Sequence, residues 1–423
     1  MAADVIVVGG GVIGCACARE LAGRGLEVLV LERAELAAGA SGRNQGLLLP
    51  GLEAHAGPLF REAVDGYRRL AAEGGVDFDL RPVGHLLLAG DEATLASAKE
   101  QADATAAAGF AVEELDAAEL VALEPSLAPG LAGGFRSTDG WALDPTGATL
   151  AWAEDARRAG AELRTWAAVR RLWVQSGRVT GVHTDAGPLA AGAVVVAAGP
   201  WTRALVAGAG VELPVSGARG WLLQTAPLPW TVEHAFQEAT WPGEAEVGDE
   251  AGPPTMAQLA ADPPPPRDEG TAFTLQQRPT GAAVVGASLA ASLREDPEHP
   301  ETVRGLARRA LRFVPGLAGV PVVASWSGVR PITPDGEPLI GPVPGLPGLW
   351  VAAGHGPVGV ILAPSTGRML AGHLVDGQPA AGTERFDPAR YHATGTERVG
   401  PDRAPTSGTS PSDPTRDPGG PGL

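Results

Sequence analysis

The chain of 423 residues contains little lysine, cysteine or tyrosine. Lys99 is its only lysine, so a mechanism that forms a Schiff base on lysine has almost no candidate residue. The two cysteines, Cys15 and Cys17, are too close in sequence for an ordinary structural disulfide and too few for a zinc site. This scarcity excludes a secreted domain held together by disulfides, and we expect no metal centre.

Basic charge and long apolar segments are scarce as well. Lysine and arginine total 32 against 49 aspartates and glutamates, which gives a net charge of −17. Such a chain lacks the basic surface of a nucleic-acid-binding protein. No run of 18 apolar residues is free of glycine, proline and charge, and Asp4 interrupts the apolar N-terminus. We therefore expect neither a transmembrane helix nor a targeting signal, and a cytoplasmic enzyme is the default expectation.

The order of strand-like and helix-like segments indicates an α/β protein with two or three domains of about 150 residues each. Residues 4–8 form a short β-branched run typical of a buried parallel strand, a helix follows, and residues 27–32 form a second such strand. Further helices are predicted at 57–74, 91–108, 116–122, 146–159, 300–313 and 359–376, and further strands at 82–89, 169–175, 178–184, 193–198, 349–353 and twice within 272–288.

Two segments lack this regularity. Residues 227–270 contain the proline run Pro263–Pro266, many acidic residues and little periodicity. This composition indicates a surface insertion that is partly disordered. Residues 384–423 are rich in threonine, proline, glycine and aspartate, which predicts a disordered tail.

A glycine motif separates the first strand from the first helix. Gly9, Gly11 and Gly14 have the spacing GxGxxG, and Glu32 ends the second strand 23 residues after Gly9. In a nucleotide-binding turn the first glycine permits the tight turn, the second admits a pyrophosphate, and the third lets helix and strand pack closely. The helix N-terminus then faces the phosphates. Glu32 would accept hydrogen bonds from ribose hydroxyls and repel a 2′-phosphate. The motif predicts a dinucleotide site and does not distinguish FAD from NAD.

Other segments resemble the D-amino-acid oxidase-like (DAO) family of flavoproteins. Residues 39–46 (GASGRNQG) resemble the loop beside the flavin ribityl and pyrophosphate groups, and residues 192–201 (GAVVVAAGPW) resemble the strand and turn near the dinucleotide. Residues 328–376 resemble the C-terminal flavin-binding segment of the glycine oxidase and amino-acid dehydrogenase branch. Residues 272–288 are similar to the sheet region of a narrower branch that includes opine oxidases.

This resemblance implies a fold and a reaction. It implies a Rossmann-like FAD domain of interleaved segments, 1–75, 141–212 and 328–380, and an α+β substrate domain, 76–140 and 213–327, with a mixed or antiparallel sheet. It also implies non-covalent FAD and oxidation of the C–N bond of an amino acid or secondary amine. Hydride transfer to flavin N5 would give an imine that water hydrolyses. The electron acceptor, O2 or a redox partner, stays open, as do the substrate side chain, its stereochemistry and the oligomeric state.

The resemblance further implies where FAD is contacted. The residues expected at the cofactor are Gly9, Gly11, Gly14, Glu32, Arg33, Ser41, Arg43, Asn44, Gln45, Gly46, Val169, Ala198, Gly199, Trp201, Gly354, Gly356, Gly359, Val360 and Ile361. For Arg43 and Asn44 an ordinary turn is the alternative, and for Trp201 a place in the core.

Two residues are expected to contact the substrate. Arg330, in the sequence GVRP, stands where the family has its carboxylate-binding arginine, and a planar guanidinium binds a carboxylate bidentately. Pro331 biases Arg330 toward the extended backbone of a strand end. The alternative for Arg330 is a structural pair with an acidic residue. His355 either faces the flavin or substrate or only satisfies backbone groups.

The chain departs from glycine oxidase in two respects. That enzyme type usually has an aromatic and a basic residue directly after Gly-His, whereas Gly356 and Pro357 follow here. The only tyrosines, Tyr67 and Tyr391, do not lie where the family's active-site tyrosine would come from the substrate sheet. These departures disfavour strict glycine specificity and favour a bulkier or secondary amine. The competing hypotheses are a flavin-binding subunit with little turnover alone and an NAD-dependent dehydrogenase on a plain Rossmann domain.

Overall fold

The computed structural model describes residues 3–50, 57–239, 270–291, 300–379 and 381–391. Its strands are β1 (Ala3–Val8), β2 (Val28–Leu31), β3 (Leu47–Leu48), β4 (Arg81–Pro82), β5 (His85–Ala89), β6 (Glu113–Leu115), β7 (Gly133–Ser137), β8 (Trp141–Ala142), β9 (Glu162–Arg164), β10 (Val169–Gln175), β11 (Arg178–Thr184), β12 (Gly187–Val196), β13 (Ser216–Pro227), β14 (Ala235–Glu238), β15 (Thr271–Gln277), β16 (Ala282–Ser288), β17 (Ala290–Ala291), β18 (Val322–Ile332), β19 (Leu339–Pro342) and β20 (Leu349–Ala353). Its helices are α1 (Val12–Gly23), α2 (Gly57–Glu73), α3 (Glu92–Ala107), α4 (Ala117–Leu123), α5 (Pro145–Arg158), α6 (Thr202–Ala207), α7 (Pro300–Phe313) and α8 (Gly359–Asp376).

The first sheet has the parallel core β9-β2-β1-β12-β20, and the antiparallel strands β10, β11 and β19 extend it. Both faces of this core are covered, which explains its continuous apolar runs. Val5 and Val7 face α1 and α8 on one side, while Ile6 and Val8 face the β10–β11 hairpin on the other. The predicted α/β fold is confirmed.

The second sheet is mixed and has the order β17-β13-β16-β15-β14-β5-β7-β6, with β18 on the other side of β13. Its strands pair antiparallel except for β14 and β5. Helix α7 packs on one face through Leu306, Ala310 and Phe313. Residues 328–332, which the predicted boundaries place with the FAD domain, pair here with residues 216–220.

Part of the predicted insertion at 227–270 is a strand of the second sheet. β14 lies between β5 and β15, and all four of its residues are buried. Burial on both faces removes the alternation of polar and apolar residues by which a strand is recognised in sequence, and four residues are too few for a longer pattern. The central part of the predicted insertion, residues 240–269, lies outside the described residues.

The predicted disordered tail also begins too early. Residues 384–391 form two short 3-10 helices that pack on the first sheet. Phe386 is 2% exposed, and Arg390 forms a bidentate ion pair with Asp335 at 2.7 and 3.1 Å. Because this segment is mostly polar, its composition did not indicate that Phe386 and Arg390 hold it against the fold. The remainder of the predicted tail, residues 392–423, lies outside the described residues.

Helix α8 belongs to the core. By length and composition alone, residues 356–376 could cross a membrane, with a mean hydropathy of 1.2. However, α8 packs against α1, α2 and β19, and most of this segment is buried in the protein. Its apolar character is therefore explained by its position inside the fold.

Candidate functional site

One cavity brings together most of the predicted site residues. It has a volume of about 400 Å³ and lies where the C-terminal ends of β1, β2 and β20 meet β18. The predicted residues on its wall are Gly9, Gly11, Glu32, Arg33, Ser41, Arg43, Asn44, Val169, Ala198, Gly199, Trp201, Arg330, His355, Gly356, Gly359 and Val360. The predicted residues that are not on the wall are Gly14, Gln45, Gly46, Gly354 and Ile361.

The glycine motif lets the end of β1 lie close to both α1 and the residues that follow β12. Gly9 has φ +119°, and a Cβ atom there would lie 2.3 Å from the carbonyl oxygen of Ala197. A Cβ atom on Gly14 would lie 2.0 Å from the carbonyl oxygen of Gly9. Gly14 therefore acts through packing, which explains why it lies behind the cavity wall.

The N-terminus of α1 opens onto the cavity. Gly11 is the N-cap residue, and the first turn carries no acidic side chain. The hydroxyl Oγ of Ser41 accepts a hydrogen bond from Val12 N at 3.0 Å. The remaining N–H groups of this turn and the helix dipole make a site suited to an anionic phosphate.

Glu32 fixes the glycine turn from the end of β2. Its Oε2 accepts a hydrogen bond from Gly10 N at 2.7 Å, and its Oε1 accepts one from Ala34 N at 2.9 Å. Each carboxylate oxygen retains a further lone pair. Glu32 therefore has a structural role that the sequence motif does not reveal. Its carboxylate also faces the cavity, where it can accept further hydrogen bonds.

The loop at 39–46 is organised by its own side chains. Asn44 Nδ2 donates to the carbonyl oxygens of Ala40 and Ser41, and Asn44 Oδ1 accepts from Gly46 N at 2.8 Å. Gln45 points to the second sheet, where its Nε2 donates to Val284 O at 2.8 Å. Gln45 thus joins the loop to the second sheet rather than lining the cavity.

Arg43 also connects the two sheets. Its Nε donates to Ala38 O at 2.9 Å and its Nη1 to Ser327 O at 3.2 Å. Trp326 Nε1 donates to the carbonyl oxygen of Arg43 at 3.2 Å. These bonds fix the position of β18 relative to the loop at 39–46.

Arg33 and Trp201 form the wall next to Glu32. The guanidinium carbon of Arg33 lies 3.7 Å from the centre of the Trp201 ring, a cation–π contact. Val169 lies on the same wall. The structure places Trp201 at the cavity, not in the core.

Arg330 reaches the cavity from β18, where it pairs with Ala218 of β13. Its Nη1 donates to Ser288 O at 3.2 Å. Burial lowers the pKa of Arg330 to about 10, so the guanidinium stays charged at neutral pH. A Cβ atom on Gly220 would lie 2.1 Å from Nη1, so Gly220 leaves the space that the guanidinium occupies.

His355 lies between β20 and α8 and is 1% exposed. Its Nε2 lies 3.0 Å from Oγ1 of Thr366 on α8. Burial lowers its pKa to about 3, which leaves the imidazole neutral. Gly354 has φ +83°, and a Cβ atom there would lie 2.5 Å from Cγ2 of Thr333. Gly354 therefore shapes the turn from behind, while Gly356 lies on the cavity wall.

Comparison with known proteins identifies the family to which the chain belongs. The family model described as "DAO: FAD dependent oxidoreductase" matches residues 4–373. The chain belongs to this family. It is 31% identical to a glycine oxidase of Pseudomonas aeruginosa over 92% of this chain and 98% of that protein. It is 29% identical to a D-amino acid dehydrogenase of Cereibacter sphaeroides over 88% of this chain and 92% of that protein.

Structural similarity agrees with this family. The crystal structure of glycine oxidase from Geobacillus kaustophilus matches with a TM-score of 0.79 and 27% identity, covering 92% of this chain and 98% of that one. The protein is therefore an FAD-dependent oxidoreductase of the DAO family. The glycine motif (Gly9, Gly11 and Gly14), the N-terminus of α1 and Glu32 are suited to binding the FAD dinucleotide.

Neither cysteine lies on the cavity wall. Cys15 and Cys17 are free and fully buried on α1. Burial raises the pKa of the Cys15 thiol to about 12 and raises that of Cys17 as well. No group of three metal-ligating side chains converges within the described residues.

Sequence reasoning missed the groups that surround Arg330. Gly220 and the carbonyl of Ser288 come from β13 and β16, more than 40 residues before Arg330. No local pattern marks them, because their importance arises only when three strands meet. The one available signal is a glycine inside a strand, which suggests a close approach of another group.

Proposed function

We propose that this protein oxidises the C–N bond of a carboxylate-bearing amine, either an amino acid or an N-substituted amino acid. The observation that carries the proposal is the position of Arg330, a half-buried cationic side chain on the wall of the same cavity as the glycine turn. A guanidinium binds a carboxylate through two parallel hydrogen bonds, and burial strengthens that attraction because water screens it less.

Residues at the end of the first sheet and at the N-termini of α1 and α8 would hold FAD. Gly11 and the first N–H groups of α1 would contact its pyrophosphate, and Glu32 would accept hydrogen bonds from its ribose. The backbone of Gly356, Gly359 and Val360, at the N-terminal end of α8, would contact the flavin ring system. This helix end favours negative charge next to it.

FAD, when bound, supplies the chemistry by accepting the hydride of the substrate α-carbon at N5. The protein orients that carbon by fixing the substrate carboxylate on Arg330. Because His355 is neutral and contacts Thr366, it adds no second cation for the carboxylate. The imine that is formed is hydrolysed by water.

The substrate is expected to be larger than glycine. Gly356 and Pro357 lie on the cavity wall and offer neither an aromatic ring nor a cation to hold a small amino acid. The relatives named glycine oxidase and D-amino acid dehydrogenase support an amino-acid substrate. O2 and a separate redox partner both stay open as the electron acceptor.

Anaerobic mixing of the FAD-loaded protein with matched pairs of compounds tests this proposal. Each pair contains an amino acid, D or L, N-methylated or cyclic, and the amine formed by its decarboxylation. We expect amino acids to bleach the flavin absorbance and their paired amines to do so far more slowly. Readmission of air then separates an oxidase from a dehydrogenase.

Two outcomes would contradict the proposal. Equal bleaching by both members of each pair would show that substrate recognition does not depend on the carboxylate. No bleaching by any amino acid or opine, with FAD bound, would favour the second hypothesis, a flavin-binding subunit with little turnover alone.

A further inference from the structure

His355 and Thr366 form a buried polar pair at the cavity wall. His355 follows β20 and is 1% exposed, while Thr366 lies on α8 and is fully buried. The Nε2 atom of His355 lies 3.0 Å from the Oγ1 atom of Thr366. Burial lowers the pKa of His355, so its ring is neutral at pH 7 and carries a single N–H group. The ring nitrogen that holds this proton determines what the imidazole can bind.

The hydroxyl group of Thr366 has a single available acceptor. A threonine inside a helix can donate to the carbonyl oxygen four residues before it, as Thr149 does in α5, where its Oγ1 donates to Pro145 O at 2.9 Å. Thr366 makes no such bond, and His355 is its only hydrogen-bond partner among the described residues. If Nε2 carried the ring proton, the buried O–H group would have no acceptor, which folded proteins avoid. The hydroxyl therefore donates to Nε2, and the ring proton lies on Nδ1.

The Nδ1 atom of His355 is available to a molecule in the cavity. His355 lies on the cavity wall, whereas Thr366, which takes up its Nε2, does not. Nδ1 has no hydrogen-bond partner within the part of the chain that the structure describes. It is nevertheless not one of the unpartnered polar atoms that are sealed from solvent. The wall therefore presents one neutral N–H donor whose acceptor must come from a bound molecule.

We propose that Thr366 is a positioning residue, which fixes His355 as its Nδ1–H tautomer so that the imidazole donates a hydrogen bond to the N1–C2 carbonyl edge of the flavin. That edge carries acceptors only, and it gains negative charge when the flavin is reduced. His355 directly precedes Gly356, whose backbone we place at the flavin ring system, so its N–H adds to the donors at the N-terminal end of α8. The hydrogen bond depends on this placement of the flavin and not on the substrate.

The other tautomer would have the opposite effect on the flavin. With its proton on Nε2, His355 would turn a lone pair toward the same edge and repel the acceptors there. The Nδ1–H group instead stabilises the negative charge of the reduced flavin without bringing a cation into the site. Because Thr366 fixes the donor before the flavin is reduced, no group has to reorient when the charge develops. We therefore expect this pair to raise the reduction potential of the bound flavin.

Nitrogen NMR of the full-length, FAD-loaded protein with isotope-labelled histidine tests the tautomer. The signals of His355 are those that Thr366→Ser shifts and His355→Gln removes. In the wild type we expect a protonated Nδ1 and an unprotonated Nε2 that accepts a hydrogen bond. Thr366→Ser keeps the hydroxyl group and should keep this pattern, whereas in Thr366→Val the Nε2 signal should move to that of a nitrogen without a donor. A protonated Nε2 in the wild type would overturn the proposal.

The reduction potential of the bound flavin, measured without substrate against a redox dye, tests the hydrogen bond to the flavin. His355→Gln keeps a polar group near Thr366 but lacks the Nδ1 donor. It should weaken the preference for the reduced flavin at least about tenfold, which lowers the potential by about 30 mV for a two-electron couple. Thr366→Val should lower the potential by a smaller amount, and Thr366→Ser should leave it unchanged. Thr149→Val is the matched control, because it removes an equally buried helix hydroxyl away from the cavity wall.

Two results of this measurement would also overturn the proposal. Potentials of His355→Gln and Thr366→Val that equal the wild-type value would show that the Nδ1–H group does not reach the flavin. An equal fall in Thr149→Val would show that loss of any buried hydroxyl explains the change. Neither experiment contains an amine, so either result leaves the proposed binding of a substrate carboxylate to its own test.

Discussion

The position of Arg330 depends on Gly220, which has no side chain. Its Nη1 occupies the place where a Cβ atom of Gly220 would stand, and it donates to Ser288 O on the neighbouring strand. Because the Arg330 side chain is half-buried and packed against Gly220, the guanidinium has little freedom to move without losing this hydrogen bond. The position of Arg330, and with it the substrate binding that we propose for this arginine, therefore depends on Gly220.

Gly220→Ala tests this dependence. The added methyl group would overlap the guanidinium, so we expect KM for the amino-acid substrate to rise about tenfold or more, with flavin content unchanged. Gly305→Ala is the matched control, because a Cβ atom on Gly305 would lie an ordinary 3.6 Å from Thr271 Cγ2. A normal KM in Gly220→Ala, or an equal effect in Gly305→Ala, would contradict this role.

At the residue scale, the sequence predicted those groups whose function is local. Gly9, Gly11 and Glu32 belong to one strand–turn–helix unit, so their spacing alone places them at one end of a sheet. Gln45 and Gly220 act through contacts with distant strands. No spacing in the sequence encodes such contacts, and only the assembled sheets reveal them.

At the element scale, the segment after α8 anchors the fold. Phe386 packs with Ile340 and Met369, and Arg390 pairs with Asp335 in the loop that follows β18. Burial alone would raise the pKa of Asp335, but hydrogen bonds from Arg390 and Tyr391 outweigh that effect and lower the pKa to about 2. The same loop contacts the turn between β20 and α8, since Thr333 lies against Gly354.

Two truncations separate this anchor from the residues beyond it. A chain ending at Tyr391 keeps all contacts that the anchor makes among the described residues, so we expect its flavin content and melting temperature to match those of the full chain. A chain ending at Gly382 loses the burial of Phe386, and deleting a buried phenylalanine side chain costs about 3 to 5 kcal/mol. Thermal unfolding should therefore show a melting temperature lower by several degrees. Equal melting temperatures for the two truncations would refute the anchor.

Helices whose ends carry local signals were predictable, whereas β14 and the 3-10 helices near the C-terminal end of the described residues were not. α3, α5 and α7 lie within two residues of their predicted bounds, because caps such as Asp91 and Asp144 mark their starts. β14 and the 3-10 helices at 384–391 have four residues or fewer, and tertiary contacts determine them. Their local composition suggested disorder because proline and acidic residues surround them.

At the scale of the whole molecule, two buried histidines couple stability to pH. Burial lowers the pKa of His85 to about 4 and that of His355 to about 3. The unfolded chain protonates histidine near pH 6.5, so between that pH and about 4 it binds protons that the folded protein does not. Stability is therefore expected to fall as the pH is lowered through this window.

His85→Gln should reduce this acid sensitivity. It removes one titrating group that lies outside the cavity, so the loss of unfolding free energy between pH 7 and pH 5.5 should shrink by about 1 kcal/mol. Urea unfolding midpoints at the two pH values measure the change. His183→Gln is the control, since His183 is partly exposed beside Trp173. An identical pH dependence in His85→Gln and wild type would show that His85 is not responsible.

The most direct test of the central claim is the substrate concentration dependence of anaerobic flavin reduction in the wild type, Arg330→Lys and Arg330→Met. If Arg330 binds the substrate carboxylate, Arg330→Met should raise the apparent Kd at least about 30-fold, since loss of a buried charge partner costs about 2 kcal/mol or more. Arg330→Lys keeps the positive charge but lacks the planar pair of N–H donors, so its apparent Kd should lie between those of the wild type and Arg330→Met. The decarboxylated amine should bind all three proteins equally. An unchanged Kd for the amino acid in Arg330→Met, with flavin fully bound, would contradict the account.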